Sequence, residues 1–103
     1  YSVVNNDASF TEFVAGTTAD VLGEGRYFEL PSPIMGSEDF GELLERVPGA
    51  MGFLGVCPTD IENSLEAPSC HSNHMRINED AMAHGIAMHV AVATRYLSER
   101  SDD

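Results

Sequence analysis

The chain has 103 residues, enough for one domain and too few for two. Seventeen acidic residues face five arginines and no lysine, giving a formal net charge of -12; such a field repels phosphate backbones and excludes nucleic acid and anionic membranes as expected partners. The hydrophobic fraction of 43% fits a folded chain, and no apolar run reaches the ~18–20 residues that span a bilayer.

Neither a signal peptide nor an initiator Met opens the chain, so it is expected to be processed or a piece of something longer, in a cytoplasmic setting. Cys57 and Cys70 lie 13 positions apart without a secretory signal, and both are expected to be reduced thiols.

Tyr1 to Val4 reads as a short strand. Asn5, Asn6 and Asp7 then offer helix caps, and Ser9 with Glu12 has capping-box spacing. Phe10, Phe13, Val14, Thr17 and Val21 recur at helical spacing, which predicts a helix over 8–22, stopped by Gly23 or Gly25. Arg26 to Leu30 reads as a second strand, ended by Pro31 and Pro33.

Ser37 is placed to cap a second helix, with Glu38 and Asp39 in its first turn and Phe40, Leu43, Leu44 and Val47 as its buried stripe. Ala50 to Val56 is an uninterrupted apolar run, the pattern of a strand covered on both faces. Residues 57–77 form a long loop. Asn78 caps a last helix over about 79–99, with Met82, Ile86, Val90, Ala93 and Leu97 as its apolar face and Ala83, Ala87 and Ala91 allowing close approach of a neighbour.

The order is β-α-β-α-β-loop-α, an α/β pattern. It reads as part of a three-layer sheet-and-helix domain, incomplete on its own, because the 50–56 strand expects partners on both sides.

Chemistry concentrates in two places. His71 and His74, with Cys70 beside them, sit in the polar loop ahead of the last helix. His71 reads as a metal ligand, a catalytic base or a solvated imidazole; His74 could share its metal, bind substrate or simply face water. A structural zinc set of Cys57, Cys70, His71 and His74 lacks the Cys-x2-4-Cys knuckle. The second place is Met35-Gly36-Ser37, whose backbone N–H groups could hold a substrate carboxylate or serve an ordinary cap. Glu38 and Asp39 are ligands, acid–base groups or answers to the helix dipole. His84 is expected in solvent and His89 partly packed. Nucleophile elbows and phosphate- or dinucleotide-binding glycine loops do not occur.

Three blocks taken together carry a resemblance: Pro33 to Phe40, Val47 to Gly55, and His71 to Ala81 before the closing helix. In this order and spacing the chain resembles the C-terminal quarter of the metal-dependent amidohydrolases, the group of hippurate hydrolase, N-acyl-amino-acid hydrolases and plant auxin-conjugate hydrolases. The resemblance implies an α/β catalytic domain holding two divalent ions (zinc, manganese or cobalt) and an inserted lid domain through which a homodimer forms.

On this resemblance residues 1–6 are the strand returning from the lid, and residues 1–103 the C-terminal segment of the catalytic domain. The implied substrate is a small N-acyl amino acid or amide. His71 matches the last metal ligand, and Met35, Gly36 and Ser37 a segment lining the substrate pocket. The other ligands and the catalytic glutamate are expected upstream, which leaves no catalytic residue within 1–103. Asn73 stands where the family usually has a proline, leaving the ligand loop less rigid. The competing reading is a stand-alone acidic α/β interaction module without catalysis.

Overall fold

The α1 helix, Ala8–Leu22, is written into its two ends. Asp7 holds extended backbone and its carboxylate accepts the Phe10 N–H at 2.9 Å, satisfying a donor that the first helical turn leaves open. Gly23 closes the helix at φ 104°, a conformation that a side chain at this position would oppose. Both boundaries agree with the sequence.

The computed structural model describes residues 3–32 and 38–101. After α1 come α2 (Phe40–Leu44), a 3₁₀ turn over Ser64–Glu66 and the long α3 (Ala81–Ser101). The second helix is shorter than its stripe suggests. Ser37 lies outside the described residues; the helix is preceded by Asp39, whose side chain makes no cap bond, and Glu38 Oε1 accepts the Phe40 N–H at 3.1 Å instead. Leu43 and Val47 from the expected stripe are exposed.

No strand forms among the described residues, which corrects the expected sheet. The segments 26–30 and 50–56 lack regular structure, and the described part of the first expected strand, Val3 and Val4, does too. A strand is defined by its ladder, and an apolar run without a neighbouring strand has nothing to pair with. The 49–56 segment is nevertheless held at both ends. The Asp7 N–H donates to the Gly49 carbonyl at 2.8 Å; the Met51 N–H donates to Asn6 Oδ1 at 2.9 Å, and Asn6 Nδ2 returns a long bond of 3.5 Å to the Met51 carbonyl. At the far end the Asn78 N–H donates to the Val56 carbonyl at 2.7 Å.

Tertiary packing rests on α1 against α3. Phe10 and Phe13 meet the Tyr96 ring edge-on with centroids 5.9 and 6.0 Å away, and Arg95 pairs with Asp20 at 2.9 Å. The covered side of α3 carries Ala81, Gly85, Met88, Val92 and Arg95, with Ala87 and Ala91 of the expected alanine row half-buried beside them and Ala83 exposed.

That side is not the expected apolar face. Met82, Ile86, Val90 and Leu97 are 51, 63, 57 and 67% exposed, and His89 is exposed as well. This helix has two apolar rows, and periodicity alone does not say which one a neighbour within the chain covers. Ala81, at 7% exposure, and Pro58 are the buried apolar side chains among the described residues. The radius of gyration of 15.3 Å exceeds the roughly 13 Å of a compact domain of this length. None of the described helices is long and apolar enough to cross a membrane.

Candidate functional site

The loop that carries His71 is pinned between two anchors. At its start Arg76 reaches back to Asp60, Nη2 to Oδ2 at 3.0 Å, and this guanidinium holds the Asp60 carboxyl below the ordinary aspartate range. At its end Asn78 joins Val56 through its backbone and closes the turn that leads into α3, its Oδ1 accepting the Asp80 N–H at 3.1 Å and its carbonyl the Ala81 N–H at 3.0 Å. The start of α3 is thereby tied to the end of the apolar 49–56 segment.

Between the anchors the chain folds on itself over residues 69–75. The Ser72 N–H donates to the Ser69 carbonyl at 2.9 Å, the Met75 N–H to the Ser72 carbonyl at 3.2 Å, and the His74 N–H to Ser72 Oγ at 3.0 Å. Ser72 is thus the organiser of the turn. Cys70, His71 and His74 stand on it, all exposed. The imidazoles of His71 and His74 make no hydrogen bond or ion pair among the described residues. A free imidazole can give a lone pair to a cation or accept a proton.

The donors among the described residues do not fit a metal centre by themselves. Among the described residues no three His, Cys, Asp or Glu side chains come together in a way that could hold an ion. This removes the structural-zinc reading of Cys57, Cys70, His71 and His74. Both thiols are free, and Cys57 Sγ makes only weak contacts to the Pro58 and Ile61 carbonyls at 3.6 and 4.0 Å. Met35, Gly36 and Ser37 lie outside the described residues. His84 is in solvent, as the sequence suggests.

The sequence did not reveal what positions the site. Asn6 offered a helix cap and instead grips Met51, 45 residues away; Arg76 and Asp60 are 16 apart. Pairings of that range leave no local signal. Asn78, by contrast, was legible as a start signal because its bonds are local, although α3 begins at Ala81, two residues later than expected, and Asn78 organises the turn before it.

Residues 1–95 match the sequence model of Peptidase family M20/M25/M40. The chain belongs to this peptidase family. It is similar to IAA-amino acid hydrolase ILR1-like 4 of Arabidopsis thaliana, 35% identical over 96 residues that make up 91% of this chain and 20% of that protein. ILR1-like 6 of the same plant is 38% identical over 96 residues, 93% of this chain and 20% of its own length. A shorter match, 40% over 58 residues, joins 56% of the chain to 13% of N-acetyldiaminopimelate deacetylase from Leuconostoc citreum (strain KM20). The chain spans about a fifth of the length of the Arabidopsis proteins it matches. The M20 family is generally metal-dependent, which gives the free His71 ring a chemical context.

Proposed function

We propose that this M20 chain is the C-terminal portion of the catalytic domain of an α/β hydrolase that cleaves the amide bond of small N-acyl amino acids or similar amides. His71 is a ligand of a divalent-ion centre (two ions of zinc, manganese or cobalt) whose other donors lie outside the described residues. The group supplies activated water when bound. Met35, Gly36 and Ser37 line the pocket for the substrate. The observation that carries the reading is the family match over residues 1–95, and the names of the similar proteins reported above, two IAA-amino acid hydrolases and a deacetylase, support the substrate class. The same match favours the enzyme over a stand-alone interaction module.

What this chain contributes is position. Its histidine stands on a turn closed by Ser72 and clamped by Asp60–Arg76 and Val56–Asn78, so the ring is offered from anchored backbone. An imidazole on such a turn needs little ordering when it meets an ion.

Two measurements test the proposal. In a protein of the relatives' length, His71→Ala is expected to lower bound metal, measured by elemental analysis, and to reduce kcat/KM on N-acyl amino acids by about a hundredfold or more, since a metal ion contributes several kcal/mol at about 1.4 per decade. Near-normal turnover and metal content refute the ligand role. The isolated 103-residue chain is expected to show no stoichiometric zinc or manganese binding by calorimetry; tight binding that is lost in His71→Ala contradicts the incomplete donor set.

A further inference from the structure

The two histidines of the 69–75 loop occupy equivalent places in two successive turns, and the turns share one residue. The Ser72 N–H closes the first on the Ser69 carbonyl at 2.9 Å, with Cys70 and His71 at its centre. The Ser72 carbonyl closes the second by accepting the Met75 N–H at 3.2 Å, with Asn73 and His74 at its centre. No non-glycine residue among the described ones takes positive φ. That excludes the type II, I′ and II′ forms and, with the closing bonds present, leaves the type I arrangement.

A turn closed by one backbone bond in an exposed loop belongs to the low-stability end of a structure. Here one side chain adds to the two closures. Ser72 Oγ accepts the His74 N–H at 3.0 Å, and Ser72 is half-buried in a stretch, 69–77, whose other residues are exposed. The His71 ring has no bond of its own among the described residues, so the backbone beneath it sets its direction. The Asp60–Arg76 and Val56–Asn78 bonds hold the ends of the loop and do not touch this corner.

We propose that Ser72 is a positioning residue for the divalent ion: its hydroxyl ties the second turn to the corner that closes the first, and so keeps His71 in the ion-binding arrangement before the ion arrives. The inference rests on the ligand role of His71. Its content is a population, because an ion held by a loop that is ordered only part of the time binds more weakly by that fraction. One hydrogen bond contributes a factor of about five to such an equilibrium. Asn73 supplies an independent handle on the same equilibrium. It stands second in its turn at negative φ and makes no hydrogen bond among the described residues, so proline fits there and restricts the open loop. Ser72 is central to neither turn, so the extended backbone that precedes a proline conflicts with neither.

The experiment uses the protein of the relatives' length, freed of metal, with zinc affinity read by competition against a chelator and the His74 amide followed by hydrogen exchange. Ser72→Ala is expected to weaken zinc binding about fivefold and to speed His74 exchange by a similar factor, while the melting midpoint of the metal-free protein moves by less than about 2 °C. Ser72→Thr keeps the oxygen and is expected to bind within about twofold of the native protein. Asn73→Pro added to Ser72→Ala is expected to recover most of the loss.

Unchanged zinc affinity in Ser72→Ala overturns the proposal. So does a loss that neither Ser72→Thr nor Asn73→Pro repairs, or a larger fall in the melting midpoint, which makes the hydroxyl a support of the fold instead. His71→Ala separates this inference from the reading beneath it. If that variant binds zinc like the native protein, the ligand role fails and the positioning role with it. If it loses an ion while Ser72→Ala binds normally, the ligand role stands and the positioning role alone falls.

Discussion

Thr17 and Thr18 are adjacent buried hydroxyls with different outcomes. Thr18 Oγ1 donates to the Val14 carbonyl at 2.8 Å, whereas Thr17, only 1% exposed, leaves Oγ1 without a partner among the described residues. A buried hydroxyl that finds no partner loses its water without compensation, at a cost of about 1–3 kcal/mol. Valine has nearly the same shape and a similar helix propensity. Thr17→Val is therefore expected to raise stability by about 1 kcal/mol in urea unfolding, and an equal loss would show that the hydroxyl is bonded in solution. The placement of Thr17 on the inner stripe was legible from spacing. Its missing partner was not, because that depends on what α1 meets across the interface.

The helices divide by how their information is stored. Both ends of α1 are encoded within a few residues of themselves, in the Asp7 carboxylate and the Gly23 backbone, and its boundaries follow from sequence. Asp7→Ala is expected to cost about 1 kcal/mol, read as a lowered melting midpoint by circular dichroism; the Asp7 N–H bond to Gly49 survives the substitution, so a larger loss would mean that the carboxylate has a second function. The faces of α3 are stored differently. Residues at positions 82, 86, 90, 93 and 97 are as apolar as those at 81, 85, 88 and 92, and only the partners decide which row is covered. Strands are more dependent still: the 50–56 run has the composition of a buried strand, but a ladder belongs to two segments. The site shows the same division, with the histidine turn legible and the clamps that hold it not.

At the scale of the molecule, the Asp60–Arg76 clamp makes the loop sensitive to acid and salt. The Arg76 hydrogen bond lowers the Asp60 pKa, so the contribution of this pair to stability is present above the ordinary aspartate value and is lost as pH falls through the lowered one. Both side chains are well exposed, so the effect is small and screened by ions. An NMR titration is expected to give Asp60 a lower midpoint than in Arg76→Gln, with the difference shrinking at about 1 M salt; equal midpoints at low salt would show that the clamp does not persist in solution.

The α1–α3 contact also has a consequence in time. Phe10 and Phe13 pack on a tyrosine encoded about eighty residues downstream, and a ribosome adding about 5–20 residues per second delivers that ring roughly 4–16 s after the first helix is made. During synthesis the two phenylalanines wait uncovered, which makes the nascent first helix a natural site for a chaperone to hold.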